Sequence, residues 1–464
     1  MTGKPLTVVV SFLMLLAVCI WEARAAGGSA SSYVTDDPIP FAYPPDAEDP
    51  GRTRPLIELG DPFLGNGNLR PGFRLPGGAV WQPRLWVYGN YRSSLHSYEL
   101  DNGPTIREWA NRLDLFSNLQ LTGTERILLG LRPLDDAGGF WGQAWSDDEQ
   151  ASFGNDINEN VSLLFFEGDL GELLPFLDED DSRGLDIGFS FGRQQIIFQD
   201  GLLVNDRMDT VGLTKNNLRW AALPWMNNLR ITAVYAWDEI NRDDNGADDD
   251  AEFYGLFSAI DTRFSSIEID LAHVASDEAE DIWVWGLGST QRLMQTHNLT
   301  LRLNGSHSEE DTPQADDGLL LFSELSWTPH RTENVFYING FAGKDNFRSA
   351  AREDDAGGPL GRTGLLFAAR GIGTYPSAIS NRVDESYGAA IGYQMIFNDH
   401  SQHLIIEAGA RSAEGLVDQD TGGLALQFQQ AFAERYIFQV DGFATSADDQ
   451  SPSYGIRSEL QIKF

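Results

Sequence analysis

Hydrophobic and polar residues alternate with a period of two over most of the chain after Val80. In residues 84–92, for example, the two parities separate into an apolar and a polar set: Leu85, Val87 and Tyr91 against Arg84, Tyr88, Asn90 and Arg92. A β-strand that crosses a bilayer needs about ten residues and presents alternate side chains to lipid and to the lumen. This period predicts membrane-crossing strands rather than helices.

Such segments predict an all-β fold, a transmembrane antiparallel β-barrel of about 18 strands (16–18) over residues 80–464. The predicted strands are 80–98, 107–121, 124–134, 159–168, 184–193, 207–218, 226–237, 250–261, 264–275, 281–292, 296–306, 317–328, 333–343, 386–397, 401–411, 422–432, 434–444 and 453–464. Residues 364–372 are assigned to a long loop in preference to an extra strand.

The connections between these segments alternate in length. Short turns follow even-numbered strands, whereas long or acidic loops follow odd-numbered ones: 133–159, 238–250, 306–317, 344–385 and 412–421. In a barrel with both termini in the periplasm, the short turns are periplasmic and the long loops are extracellular. The alternation therefore predicts this topology.

The N-terminus is typical of a secretory signal peptide. Lys4 precedes an apolar stretch over residues 8–20, and Ala23-Arg24-Ala25 is a small-x-small cleavage site. We predict a signal peptide at 1–25, followed at 26–79 by an irregular N-terminal segment, periplasmic or lumenal, rich in Pro, Gly and Asp. The chain is thus predicted to enter the outer membrane of a Gram-negative bacterium as an integral barrel.

Composition excludes several kinds of site and partner. The formal net charge is −36, which argues against nucleic-acid partners. The single cysteine, Cys19, lies in the predicted signal peptide, so disulfides, zinc–thiolate sites and cysteine nucleophiles are not expected. The last strand ends in Phe464, which resembles the signal read by the barrel assembly machinery. That machinery, the outer-membrane lipids and a hydrophilic solute are the expected partners.

One stretch resembles a known family. A strand ends in Gly192-Arg193-Gln194, a turn contains Asp200-Gly201, and the next strand opens with Arg207-Met208-Asp209. This stretch resembles the alginate-export family of outer-membrane porins, although Leu202 stands where the family's turn has an arginine. The resemblance implies an 18-strand barrel whose arginine-rich lumen passes an acidic polysaccharide.

The candidate pore and selectivity residues combine basic and acidic groups: Arg193, Arg207, Asp209, Asp200, Gln194, Arg84 and Arg112. Arginines at a constriction attract anions, and Asp209 and Asp200 are suited to pair with them. The alternative is that Arg193 and Asp209 form an ion pair that only braces the barrel wall. Further basic residues share the inward parity with the carboxylates Asp114 and Glu459: Arg92, Arg126, Arg132, Arg302 and Arg457.

Two other motifs carry less weight. Residues 188–192 match Gly-x-Ser-x-Gly around Ser190, but they lie within an alternating strand, whereas a nucleophile elbow needs a strand–turn–helix. No enzyme and no cofactor are predicted. The acidic runs 243–250 and 277–281 do not fit an EF-hand, and divalent cations shared with lipopolysaccharide are the alternative to simple solvated loops.

The sequence as a whole predicts a passive, porin-like channel for hydrophilic solutes that are anionic or polysaccharide in nature. The alternative function is a non-conducting barrel that serves as a scaffold, binds a partner or acts as an adhesin. The long N-terminal segment and the large loops favour this alternative.

Overall fold

The described part of the chain covers most of the predicted barrel. The computed structural model describes residues 53–63, 71–136, 139–146, 152–154, 157–177, 184–219, 223–277, 279–294, 296–369, 371–398, 400–414, 420–433, 435–448 and 450–464. The predicted signal peptide and the first half of the N-terminal segment lie outside these residues.

Eighteen strands within the described residues form one antiparallel sheet that closes on itself. They are β1 Arg84–Glu99, β2 Ile106–Gln120, β3 Arg126–Leu131, β4 Val161–Asp169, β5 Ile187–Phe198, β6 Val204–Leu218, β7 Met226–Asp238, β8 Glu252–Thr262, β9 Ser265–Ala275, β10 Ile282–Leu293, β11 His297–His307, β12 Gly318–Trp327, β13 Val335–Asp345, β14 Ser386–Phe397, β15 Gln402–Ala413, β16 Thr421–Phe432, β17 Tyr436–Ala447 and β18 Ser453–Lys463. Each overlaps one predicted strand, so the predicted fold class is confirmed.

The barrel closes between its last and first strands. β18 pairs with β1 from Tyr454 opposite Glu99 to Lys463 opposite Asn90. The terminal residue continues the ladder, because Gly89 N donates to Phe464 O at 2.7 Å and Phe464 N donates to Gly89 O at 3.0 Å. A closed barrel has no unpaired strand edge, which a bilayer requires.

Most connections follow the predicted alternation of short turns and long loops, but the connection after β4, residues 170–186, is long where a short turn was predicted. The turn after β8 has two residues and the loop after β13 spans 346–385, where residues 364–369 and 371–372 contain no strand. The connection after β4 carries a short helix, Leu170–Leu173, and a 3₁₀ turn, Pro175–Leu177. No helix in the described ranges is long and apolar enough to cross a membrane.

Large apolar side chains are exposed on the outward parity around the wall, for example Phe191 at 58% and Leu424 at 63%. Others on this face are Leu164, Leu213, Leu256, Ile269, Leu287, Leu301, Leu321, Ile338, Ile391 and Ile406. An apolar band of this kind faces hydrocarbon in membrane barrels, whereas the opposite parity is polar.

Short strands lie outside the barrel ladder. Ile57–Leu59 pairs with Leu85–Val87 of β1, so part of the predicted irregular N-terminal segment extends the sheet. The other short strands are Phe73–Arg74, Val80–Trp81, Asp135–Asp136, Gly139–Ser146, Ser152–Gly154, Ile240–Asn241, Ala247–Asp248 and Ala351–Arg352. Gly139–Ser146 pairs with the first half of β2, above the short strand β3.

The hairpin of β5 and β6, residues 194–208, leaves the wall and lines the lumen; we call it the inner hairpin. Gly192 has a φ of +118°, and at the same level the β6–β7 ladder shifts register between Asp209 and Thr210, where Trp237 of β7 is the extra residue. A Cβ at position 192 would lie 2.2 Å from the carbonyl oxygen of Leu164, which explains the glycine.

The inner hairpin corrects the predicted boundaries, since the sequence assigned 194–206 to a loop and the turn comprises residues 199–203. One face packs against the inner surface of β7 to β12. Leu202, Leu203 and Met208 are fully buried there, and the Phe198 and Phe257 rings stack 3.4 Å apart. A strand with protein on one face and the lumen on the other lacks the alternation of a lipid-facing strand.

The loop after β13, residues 346–385, also enters the barrel; we call it the inner loop. Its strand Ala351–Arg352 pairs in parallel with Val204–Asn205 of the inner hairpin. A 3₁₀ turn follows at Pro359–Thr363, where Leu360 and Thr363 are buried. The two inner elements therefore form a second layer within the lumen.

Candidate functional site

Three arginines converge on one segment of the inner loop: Arg112 of β2, Arg132 directly after β3, and Arg207 of β6. Arg112 Nη1 donates to Asp355 Oδ2 at 2.6 Å, and Arg132 Nη1 donates to the same oxygen at 3.4 Å. Arg207 Nε donates to Glu353 Oε2 at 2.5 Å. We call Arg112, Arg132 and Arg207 the arginine cluster. Their side chains are 7%, 18% and 17% exposed, so the ion pairs are largely shielded from bulk water.

The acidic partner is a run of three consecutive carboxylates, Glu353-Asp354-Asp355, which we call the acidic triplet. One oxygen of each lies within 4.8 Å of the others. Three carboxylates this close repel one another, so guanidinium groups nearby lower the free energy of the arrangement. With arginines already on Glu353 and Asp355, the charges favour ion pairing over a bound cation.

Barrel-wall carboxylates complete the site. Asp114 of β2 accepts from Arg112 at 3.3 Å and from Arg132 at 3.1 Å. Asp135 lies 3.8 Å from Arg112, and the carbonyl oxygen of Gly371 accepts from Arg112 at 2.6 Å. Asp114 therefore holds Arg112 and Arg132 from the wall, while both arginines reach Asp355 of the inner loop.

The pKa values of Glu353 and Asp355, the first and last residues of the acidic triplet, are shifted in opposite directions. Burial acts to raise the pKa of Asp355, but the positive charges of Arg112 and Arg132 outweigh it and hold that pKa below its usual range. Burial raises the pKa of Glu353, and the neighbouring Asp355 charge adds to the rise, although Arg207 opposes both. Glu353 is thus the more easily protonated of the pair.

Other lumen arginines pair within the barrel wall. Arg457 binds Asp441 at 2.9 Å and Glu459 at 3.0 Å, and Arg92 binds Glu459 at 2.6 Å. All four residues lie on β1, β17 and β18, and the Arg457 side chain is only 2% exposed. These pairs brace neighbouring strands, whereas the arginine cluster binds a loop.

Two buried glutamates anchor the inner loop to the wall. Glu407 of β15 accepts from the backbone N–H groups of Leu365 and Leu366, both at 2.9 Å. Glu108 of β2 accepts from Thr374 N and Oγ1, both at 2.7 Å. The sequence did not identify either anchor. For Glu407, the available signal was an inward carboxylate whose cross-strand neighbours, Gly392 and Ala425, carry no charge.

Two of the predicted site residues lie on the outward face of the barrel. Arg193 binds Asp209 through two hydrogen bonds of 2.9 and 3.1 Å and binds Glu239 at 2.8 Å. The pair lies in a groove with Phe191 and Trp237, whose rings stack 5.6 Å apart. This placement agrees with the bracing alternative rather than with a position in the pore.

The remaining predicted residues are dispersed. Gln194 is buried and donates to Ser190 Oγ and Thr210 Oγ1. Asp200, at the tip of the inner hairpin, pairs with Arg302 of β11. Arg84 lies at the start of β1, donates to Thr122 O at 3.2 Å and covers the Trp86 ring. Of the seven predicted residues, Arg112 and Arg207 lie together at the acidic triplet.

The predicted acidic and serine motifs also have local roles. Asp243 binds Arg382 at 3.2 Å, and Asp248 binds Arg242 at 3.1 Å, so part of the run 243–250 is neutralised by arginines. Ser190 lies inside β5 and has no strand–turn–helix context. Cation binding at the extracellular loops stays a prediction.

No family model and no curated protein matches the chain, so its similarity to known proteins is one of fold. Three solved porin structures resemble it: Pseudomonas aeruginosa OccK2 in complex with glucuronate, P. aeruginosa OpdK with vanillate, and a BenF-like porin from Pseudomonas fluorescens Pf-5. The TM-scores are 0.53, 0.52 and 0.55, and the identities are 12%, 12% and 11%. Each covers 82% of this chain and 98% of its own chain.

The fold is that of an outer-membrane porin. The porin-type barrel and its outward apolar band place the chain in the outer membrane as an integral, multi-pass barrel, as the sequence predicted. None of the three structures named above is an alginate exporter, and the resemblance to that family stays a prediction.

Proposed function

We propose that the protein is a passive outer-membrane channel for small hydrophilic anions. The observation that carries the proposal is the convergence of Arg112, Arg132 and Arg207 inside the barrel. Rings and clusters of arginine in a narrow lumen select for anions, because a guanidinium group replaces part of the hydration shell of a carboxylate or phosphate.

The anion class is supported by the chemistry of the cluster. Arginine side chains present planar forks that match carboxylates, and here each already binds one in the protein. Glucuronate, bound by OccK2, and vanillate, bound by OpdK, are both carboxylates, although those proteins share little sequence identity with this chain. We infer that the solutes are small monocarboxylates, and these should be tested first.

Bilayer recordings test this function. In a KCl gradient, the wild-type channel is expected to pass chloride in preference to potassium, and sodium glucuronate is expected to reduce the chloride current. The variant Arg112→Gln/Arg132→Gln/Arg207→Gln should lose both properties. A matched control is Arg435→Gln/Lys463→Gln, which removes charge at the turn between β16 and β17 and at the neighbouring end of β18. Equal selectivity in all three proteins would contradict the proposal.

An acidic polysaccharide is the second solute class, as the resemblance to alginate exporters implies. A series of uronate oligomers of rising length separates the two classes. If small carboxylates are the solutes, block should be strongest for the monomer and should weaken with length.

One observation favours the alternative of a non-conducting barrel. The inner hairpin and inner loop bury apolar side chains within the barrel, among them Leu203, Phe322 and Phe347, which are fully buried. A folded protein that inserts into bilayers but passes no current, even at high voltage, would support this scaffold function.

A further inference from the structure

We propose that the acidic triplet is a tethered competitor for the anion site: its carboxylates occupy the arginines that a solute carboxylate must use, and passage proceeds by exchange of one carboxylate for another. This inference rests on the proposed function, because it names how the same site is regulated. It assigns a role to Glu353 and Asp355 that goes beyond fastening the loop.

The geometry of the ion pairs is that of a bound carboxylate ligand. One oxygen of Asp355 receives hydrogen bonds from two arginines that are distant in sequence, at 2.6 Å from Arg112 and 3.4 Å from Arg132. Arg207 contributes its Nε to Glu353 from the opposite, inner-hairpin side. A carboxylate that arrived as solute would find the same donors in the same places.

The backbone of the triplet is fixed independently of these pairs. Glu353 N donates to Asn205 O at 2.9 Å, and Asn245 Nδ2 donates to Glu353 O at 2.7 Å. The buried Arg352 donates to Gly357 O at 2.7 Å and to Gly201 O at 2.6 Å. Exchange therefore needs rotation of the acidic side chains and not unfolding of the inner loop.

The triplet also has access to the lumen. Asp354 is 36% exposed and lies 3.8 Å from Arg207. The most exposed carboxylate of the triplet therefore lies directly beside the arginine cluster. By contrast, Arg457 and Asp441 form their ion pair within the barrel wall, and each side chain is only 2% exposed. The exchangeable pairs are thus distinguished from the permanent ones by their partner and their exposure.

A physical argument explains why a channel would retain such a competitor. Conduction requires that a solute binds well enough to enter but weakly enough to leave. Three partly buried arginines without partners would hold an anion strongly, and unpaired buried charges are costly. A tethered carboxylate at an effective concentration on the order of millimolar lowers the apparent affinity of the site for the solute. It also pairs with the arginines again each time a solute leaves.

The test compares Glu353→Gln/Asp355→Asn with wild type in planar bilayers, with sodium glucuronate as the probe. Both substitutions preserve side-chain size and remove charge. We expect the double variant to bind glucuronate at least tenfold more tightly, seen as a lower half-blocking concentration and longer blocked intervals. The matched control is Asp384→Asn/Glu385→Gln, which removes two charges from the same loop and should keep the wild-type value.

The outcomes separate this inference from the proposed function. Suppose that wild type is anion-selective and blocked by glucuronate, but that the double variant has the same half-blocking concentration. The proposal that the acidic triplet competes with the solute is then overturned, and the proposed channel function stands. If wild type shows no anion selectivity, both fail. The single variant Glu353→Gln, which retains the Asp355 pairs, provides the same comparison should the double variant not fold, with a smaller tightening expected.

Discussion

Arg207 and Asp209 lie two residues apart on the same face of β6, yet they serve opposite sides of the barrel wall. Asp209 binds Arg193 on the outward face, beside Phe191, whereas Arg207 reaches Glu353 in the lumen. The hairpin turns inward at this level, where Gly192 has a positive φ and the β6–β7 ladder shifts register between Asp209 and Thr210. One face of β6 therefore provides both Asp209, which stabilises the barrel wall, and Arg207, which lies in the lumen.

This arrangement predicts different effects for the two arginines. Arg207→Gln should reduce the preference for chloride over potassium, because it removes a positive charge from the lumen beside two carboxylates. Arg193→Gln should leave ion preference unchanged and lower the Tm of the barrel, since it leaves Asp209 without its two hydrogen bonds. Reversal potentials and thermal melts of both variants in parallel test the pair.

Each variant serves as the other's control, because both remove one arginine charge within the same hairpin. A shift in reversal potential for Arg193→Gln equal to that for Arg207→Gln would contradict the assignment of Arg193 to the outer surface.

Gly192→Ala should destabilise the barrel by about 1–3 kcal/mol, the usual cost of a side chain forced into a disfavoured backbone conformation. The φ of +118° is one that L-residues rarely adopt, and the added Cβ would meet the Leu164 carbonyl oxygen at 2.2 Å. The measurement is the urea midpoint in detergent micelles. Gly422→Ala is the control, because the nearest atom to its added Cβ is 3.9 Å away and a change there should be small.

The barrel wall was predictable from sequence because lipid and lumen impose opposite demands on alternate residues. Residues 298–304, for example, alternate as polar and leucine, and they form the centre of β11. The parity of turns and loops was equally informative. Lumen-facing arginines such as Arg112 and Arg457 were identified by the same alternation.

The inner layer was not predictable in this way. Residues 195–198 lie on a hairpin that packs against protein, so their pattern lacks the lipid-facing alternation and was assigned to a loop. Glu353-Asp354-Asp355 is indistinguishable in sequence from a solvated acidic loop, since its partners Arg207 and Arg112 are 146 and 243 positions away. Only the folded chain brings these charges together.

Glu407→Ala should loosen the inner loop. The carboxylate is 1% exposed and accepts from Leu365 N and Leu366 N as well as from the Tyr337 hydroxyl. Hydrogen bonds to a charged group contribute about 1.5–3 kcal/mol each, and the two backbone donors would be left without this acceptor. We expect faster proteolysis within residues 359–385 and a noisier open-channel current.

Two variants control that prediction. Glu407→Gln keeps one carbonyl oxygen as an acceptor and should have an intermediate effect, whereas Glu414→Ala removes an exposed glutamate one residue beyond the end of β15 and should behave as wild type. Proteolysis that is equally slow in all of these proteins would show that the anchor is dispensable.

Anion preference should rise as the pH is lowered towards the range in which an ordinary glutamate begins to be protonated. The pKa of Glu353 is raised by burial and by the Asp355 charge, so Glu353 is protonated at a higher pH than an ordinary glutamate. Its neutral form no longer balances Arg207, and the local positive charge increases. Asp355, whose pKa is held below its usual range by Arg112 and Arg132, stays charged over this interval.

The check is the reversal potential measured at several pH values for wild type and for Glu353→Gln. The variant should already have the higher anion preference at pH 7 and should respond little to acid, because its amide mimics the protonated carboxyl. Asp384→Asn, which changes a distant carboxylate of the same loop, should keep the wild-type response. An acid response that persists in Glu353→Gln would assign the titration to another group facing the cluster, with Asp114, Asp135 and Asp354 the neighbouring carboxylates to examine.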